Sequence, residues 1–256
     1  MSMIAVVRSR ASGILLLAAI LVLWQVAATF WIDSPNLPAV TAIAQSLRAG
    51  LESGELLQVL AATLWVMALG YFIGVTCAVL TGLVMANVRA VRALLDPIVE
   101  LLRPIPIPAI VPPLILLLGI DEGLKIFVVG FSSFFPVVVN TMGGARAVDP
   151  IAIDVGRTLR VGRVRIVRSI VMPASLPYIL AGKRTSLALA IVTTVTAELI
   201  AGSAGIGYYL MMTQYAMRTS EMYAAIFLLA LTGYVLNQLF LAAERRVLHW
   251  HRAKPL

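Results

Sequence analysis

Six runs of apolar residues, each near the twenty that an α-helix needs to cross the hydrocarbon core of a bilayer, constrain this chain more than anything else in it. They cover about 13–31, 56–85, 97–119, 124–142, 176–201 and 223–243. Of the 256 residues 61% are hydrophobic and 12% charged, whereas a soluble domain carries about 45–50% apolar and about 25% charged residues. One water-facing core of this size has no room for that excess, while lipid accepts apolar surface on every side of a helix. The predicted fold class is all-α: a polytopic membrane protein of about six transmembrane helices. The first run lacks a clear small-residue cleavage site and is long for a signal peptide, so it reads as a retained span.

The net charge of +8 raises the question of nucleic acid, and the placement of the charges answers it. Arg8 and Arg10 precede the first run, and Arg89 and Arg92 separate the second from the third. Arg146, Arg157, Arg160, Arg163, Arg165 and Arg168 crowd the segment between the fourth and fifth; Arg245, Arg246, Arg252 and Lys254 follow the sixth. The alternate loops hold only Arg48, Lys125 and Arg218, beside Asp33, Glu52, Glu55, Asp121, Glu122 and Glu221. Basic residues gather on the cytoplasmic side of a membrane, so both termini are expected there, and no nucleic-acid partner is needed. The single Cys77 lies in an apolar run and leaves no disulfide framework or cysteine cluster. His249 and His251 flank Trp250 in the tail, where an interfacial or solvated role is favoured over metal binding.

One transmembrane domain, 1–256, is expected. Within it, 1–56 supplies the first span and an amphipathic segment, and 57–243 forms the core, carrying a cytoplasmic loop at 143–177. In the amphipathic segment Val40, Ile43, Leu47 and Leu51 share one helical face after the Pro35 and Pro38 turn. A helix lying along the outer membrane surface fits that pattern, with lipid as its partner.

No nucleotide loop is present. Ala181-Gly182-Lys183-Arg184-Thr185 resembles the end of one, but Arg184 stands where Ser or Thr is needed, and residue 177 is not glycine. Three other features invite a role. Arg103-Pro104-Ile105-Pro106-Ile107-Pro108, then Pro112-Pro113, break the third run, because each proline removes a backbone donor. A broken helix at membrane depth is tolerated where it is buried in protein or lines a cavity, so a pathway-lining span is expected, the alternative being a kinked packing helix. Glu198 lies in the fifth run; intramembrane carboxylates are costly, and gating or subunit contact is read for it, against a solvated position near the outer interface. Gly70 and Gly74 permit close helix packing.

The segment from Gly143 to Pro177 is too long and too patterned for a connector. Asp149-Pro150 starts a helix, and Ile151, Val155 and Leu159 make an apolar stripe. Arginines interleave the apolar residues up to Val167, and Pro173 and Pro177 are expected to close the segment. The stripe suits either anionic lipid or a cytoplasmic partner.

Asp154-Val155-Gly156-Arg157-Thr158-Leu159-Arg160, followed by Ile170-Val171-Met172-Pro173, resembles the Glu-Ala-Ala…Gly…Ile-x-Leu-Pro loop of binding-protein-dependent ATP-binding cassette permeases. Asp154 stands for the glutamate, Val155 and Gly156 for the alanines, and Met172 for the leucine. Arg160 occupies the family's glycine position, which leaves Gly162 to relocate the turn. Leu102-Arg103-Pro104-Ile105-Pro106, the stretch Pro173 to Gly182, and Ala197-Glu198 followed by Gly205-Ile206-Gly207 narrow the resemblance to the nitrate/sulfonate/taurine branch. The resemblance implies a permease subunit of the bacterial inner membrane, not an enzyme. It would pair with a second, identical copy, two ATPase subunits that bind ATP and Mg, and a periplasmic solute-binding protein. The Asp154–Pro173 loop would supply the coupling helices. Arg103, Pro104, Pro106 and Glu198 would belong to the pathway or its gating. Arg103 is a candidate for easing an anion along the cytoplasmic half, against snorkelling or a structural ion pair. An ion-coupled secondary transporter is the alternative; it is expected to show internal repeats and more intramembrane ionisable groups, and it leaves the cytoplasmic loop unexplained. A membrane-embedded enzyme would need convergent catalytic groups that this sequence lacks.

Overall fold

The computed structural model describes residues 3–32 and 34–249, with side chains from Ser12 onward, Ile14 excepted. Among them α1 (Met3–Val26) ends in a π turn (Ala27–Trp31), followed by α2 (Val40–Glu52), α3 (Glu55–Asn87), α4 (Arg89–Leu102), α5 (Ile107–Leu118) and α6 (Glu122–Arg146). The chain continues through α7 (Pro150–Thr158), α8 (Arg163–Ile166), a π turn (Val167–Val171), α9 (Met172–Ala201), α10 (Ile206–Tyr215) and α11 (Thr219–Val247). Asp33, Trp250 and His251 lie outside the described residues.

Among the described residues four helices are long and apolar enough to cross a bilayer unaided: α3, α6, the continuous helix Arg163–Ala201, and α11. Leu15–Trp31 adds a shorter apolar helix at the lower limit of a span. The third expected span is not one helix. It is split into α4 and α5, which bend by 103° at the break. Pro104 and Pro106 have no amide to donate, and Pro106 adopts the extended conformation (φ −69°, ψ 127°) that caps α5.

Close contacts decide whether that bent pair crosses the membrane or turns back. A Cβ placed on Gly70 would fall 2.6 Å from the Cβ of Val129, one on Gly74 2.9 Å from the Cα of Gly130, and one on Gly82 2.8 Å from the Cβ of Thr141. The paired numbers rise together, so α3 and α6 run parallel. Parallel neighbours require the chain to return across the layer between them, and α4–α5 is therefore a broken span. The Gly70/Gly74 pattern serves this packing inside the chain, where bare backbone lets two helices gain dispersion contacts without a hydrophobic driving force.

The remaining register follows from inter-helix hydrogen bonds. Ser186 Oγ donates to the Ser133 carbonyl at 2.8 Å, and Tyr71 Oη to the Lys183 carbonyl at 3.0 Å. With Gly144 against Tyr178 and Gly182 against Asn140, the long helix runs antiparallel to α3 and α6. α6 is the central element: its most apolar stretch is 50% buried, against 17% for α11. The turns at 88 and 147–162 thus share one end of the bundle, the loop end. Residues 34–54, 119–121 and 202–218 share the other, the distal end.

Two further boundaries differ from expectation. Pro173 and Pro177 do not close the cytoplasmic segment; the helix beginning at Arg163 runs through both to Ala201. The π turn at Val167–Val171 precedes Pro173, and its looser hydrogen-bond ladder absorbs the missing donor. α10 is a helix that the apolar runs do not single out. Its ten residues are too few to show a clear period, and glycines precede it.

α2 lies at the distal end as the apolar stripe predicts, with Ile43 buried. Trp24 Nε1 donates to the Pro38 carbonyl at 3.1 Å and its ring packs edge-on against Tyr223. These contacts bring the end of α1 to the start of α2 and α11.

Candidate functional site

α7 begins where the sequence asks it to. Asp149 Oδ1 accepts from the Ile151 amide at 2.9 Å, and Pro150 fills the first helical position, whose amide needs no partner. One face of α7 is fixed to the bundle. Gly156 is buried against Ile166 and Ile170, where a Cβ would lie 3.3 and 3.1 Å from their side chains. Val148, Ile166 and Val171 form the small core beneath, with Ile153, Val161 and Ile170 packed on it. The opposite face is bare: Ile151, Val155 and Leu159 are 70%, 53% and 71% exposed. With Asp154 and Thr158 they line a shallow concavity of about 320 Å³. Asp154 is held on that face by Arg157 at 3.0 Å, an exposed pair that contributes little stability of its own.

The α7 turn stays at Arg160. This residue takes φ +56°, while Gly162 is extended at φ −60° and starts α8. The Arg160 amide donates to the Arg157 carbonyl at 2.9 Å and the Val161 amide to the Gly156 carbonyl at 3.0 Å, the paired bonds of a Schellman end. Gly162 therefore does not relocate the turn, contrary to expectation: the two bonds and the burial of Val161 hold a non-glycine residue in the left-handed region. Asp154, Val155, Gly156, Arg160, Gly162 and Ile170 are thus brought together in one hairpin, with Pro173 exposed a turn further on.

Arg103, Pro104 and Pro106 are exposed at the α4–α5 corner. Arg103 forms no ion pair with any described residue. Beside this corner α3, α4 and α6 enclose an apolar groove of about 630 Å³, with Leu95 and Leu102 on one wall and Phe127, Phe131 and Phe134 on the other.

Glu198 is not part of that corner. It is 1% exposed, one turn before α9 ends, at the distal end of the bundle. Its Oε2 accepts from the Gly207 amide and from Thr63 Oγ1, both at 2.9 Å. Thr63 Oγ1 accepts in turn from the Ile206 amide at 2.8 Å. The first two amides of α10 are thus satisfied by side chains from α9 and α3, as orphan donors at a helix start must be. Gly205, at φ +97°, precedes them, and a Cβ there would collide with the Glu198 carboxyl group. The expected alternative of a solvated carboxylate does not describe this group.

Lys125, grouped by sequence with the solvated loop charges, is 3% exposed on the first turn of α6. The stretch of α6 that carries it packs, through Leu124 and Val128, with Ala197 and Ala201 on either side of Glu198. Sequence reasoning missed Thr63 and Lys125 because both lie far from Glu198 along the chain; only the Gly205-Ile206-Gly207 spacing hinted at a close approach. The first turn of α10 is also tied to the start of α11 by Tyr209 Oη donating to Glu221 Oε2 at 3.1 Å, with Arg218 Nε on Glu221 Oε1 at 2.8 Å. Burial, reinforced by the Glu221 and Glu55 carboxylates, pushes the Tyr209 phenol up to about 12, so it remains a donor.

A parallel-and-return bundle of apolar helices, one of them broken, with an amphipathic hairpin offered at one end, is the architecture of a polytopic membrane protein. Residues 70–249 match the family of binding-protein-dependent transport system inner membrane components, and the chain belongs to that family. It is 33% identical over 242 residues to the putative aliphatic sulfonates transport permease SsuC of Bacillus subtilis, covering 94% of this chain and 88% of that one. Over 241 residues it is 32% identical to the taurine transport system permease TauC of Escherichia coli, covering 92% and 88%. The fold is shared with the inward-facing MetNI methionine ABC transporter, at a TM-score of 0.61 and 18% identity over 81% of this chain and 95% of that one. The protein is a permease subunit of the ATP-binding cassette importers, a transport component and not an enzyme, in a family of the inner membrane whose members work with ATPase subunits.

Proposed function

We propose that this permease forms a translocation pathway for a small organic anion of the sulfonate or taurine type, or for nitrate, as a pair of identical copies. Two ATPase subunits carrying ATP and Mg would sit beneath the pair, and a periplasmic solute-binding protein would deliver the solute at the distal end. On this reading the loop end and both termini are cytoplasmic.

The observation that carries the reading is the bare face of α7. Exposed apolar side chains among arginines at a water-facing end mark a protein contact, and the other face of the same helix is packed on the base of a spanning helix. A push on Ile151, Val155 and Leu159 is therefore passed through Gly156 and Ile170 to the helix Arg163–Ala201. Closure of the ATPases around their nucleotide would draw two such hairpins together and shift the pathway between its two openings. The Arg103–Pro106 corner is assigned to the cytoplasmic half of that pathway. The solutes of the relatives and the lone Arg103 support an anion.

The experiment is affinity purification of the chain from its native membrane in mild detergent, with Asp154→Arg in parallel. The ATPase subunit is expected to accompany the wild-type chain in stoichiometric amount. Asp154→Arg is expected to insert normally and to lose both the partner and ATP-driven uptake. A partnerless wild-type chain, or full uptake by Asp154→Arg, would overturn the reading.

A further inference from the structure

The geometry points to Glu198 as a two-position catch. In this structure it holds α10 against α3 and α9, and when α10 moves away it exchanges the α10 amides for the Lys125 ammonium. The inference rests on the transport reading above and adds a conformational device at the distal end.

The case begins with where the cap comes from. A helix start is ordinarily capped by Ser, Thr, Asp or Asn at the residue just before it. α10 has Gly205 there, with no side chain to offer. The acceptor instead arrives from another helix, and Gly205 leaves the space that this foreign carboxylate occupies. A local cap travels with its helix, whereas a borrowed one can be left behind. The cost of burying a carboxylate at membrane depth is then spent on a contact between two elements.

Glu198 is also incompletely used. Its Oε1 is buried and has no hydrogen-bond partner among the described residues. Lys125 is almost as buried and makes no hydrogen bond or ion pair with any described residue. Leu124 and Val128, on the same stretch of α6 as Lys125, pack with Ala197 and Ala201 on the stretch of α9 that carries Glu198, so a cation and a carboxylate with spare capacity lie on two packed helix ends and form a second arrangement ready to replace the first. A carboxylate that lost the α10 amides with no such replacement would be a buried, unpaired charge, a costly state.

Short connections join α10 to its neighbours, residues 202–205 before it and 216–218 after it. Its polar anchors reach its first turn from different helices: Thr63 and Glu198 hold the Ile206 and Gly207 amides, and Glu221 of α11 holds Tyr209.

The test uses the permease in lipid nanodiscs, with Cys77 replaced by serine and spin labels at Leu57 in α3 and Tyr215 in α10, both exposed. In the permease alone, Glu198→Gln and Thr63→Val are expected to add a longer-distance population that the parent lacks. In the complex with its ATPase, trapping the nucleotide is expected to shift the parent to that longer distance. Lys125→Met is expected to keep the short distance under the same trapping and to slow uptake. A purely structural cap would leave Lys125→Met like the parent, and that result overturns the exchange. A single unchanged distance in every variant and state overturns the catch. The resting comparison requires no ATPase, so a failure of the transport reading would appear separately, as absent partner binding, and would leave that arm to decide.

Discussion

Arg160 occupies a conformation that costs an ordinary L-residue about 1–2 kcal/mol and a glycine almost nothing. The α7 hairpin tolerates it because two backbone bonds close around it and Val161 is drawn into the small core. Sequence alone pointed to Gly162 as a substitute, since glycine is the usual signal for a left-handed residue. That signal fails where neighbouring bonds dictate φ, as they also do at Met217, whose following amide closes on Thr213 at 2.8 Å. Arg160→Gly is accordingly expected to be tolerated and to stabilise the hairpin by about 1 kcal/mol. Amide exchange at Val161 and Arg160 should slow while ATP-driven uptake stays normal. Faster exchange, or lost coupling to the ATPase, would mean that the Arg160 side chain itself holds the turn. Glu198 teaches the complementary lesson. A role inside the bundle was one of two readings the sequence left open for it, beside a solvated position near the outer interface, and its partners were not legible, because Thr63 and Lys125 lie on other helices.

At the scale of elements, apolar length located the spans and their interruption by proline located the broken one. What length could not supply was direction. The stretch Arg103–Pro106 is equally compatible with a crossing and with a re-entrant turn, and only the rising register of Gly70, Gly74 and Gly82 against α6 separates the two. That register depends on bare backbone. Gly74→Val is expected to drive the Gly130 backbone away from α3 and to destabilise the protein by about 1–3 kcal/mol, as overpacking does. Gly123→Ala, on the same α6 helix but with nothing within 4 Å of the added Cβ, should be neutral. Thermal unfolding of the two variants in one detergent checks the contrast. Equal midpoints would place the α3–α6 interface elsewhere. Pro173 ends no helix for a related reason: the turn before it is a π turn, whose looser ladder absorbs the missing donor, whereas Pro177 is carried inside the regular helix that follows.

For the whole molecule, the direction of each crossing fixes which loops share a side. α3, α6 and α11 descend from the distal end; α4–α5 and the helix Arg163–Ala201 return to it, and α1 ends there. With α1 counted as a crossing, both termini fall at the loop end, with the arginines at 89, 92, 146, 157, 160, 163, 165 and 168. Charge asymmetry and packing register are independent: one is a property of loop composition, the other of helix contacts. The register groups the loops into two ends and the arginines assign one of them to the cytoplasm, a sidedness that single cysteines in a Cys77→Ser background test. Ser53→Cys, at the distal end, is expected to react with a membrane-impermeant maleimide in intact spheroplasts. Ser2→Cys, Ala147→Cys and Arg246→Cys should react only after the membrane is opened. Labelling of Ser2→Cys alone from outside would mean that α1 does not cross and that the bundle holds five spans. Outside labelling of Ala147→Cys would overturn the sidedness read from the arginines, because it would place the α7 hairpin on the side where no ATP is found.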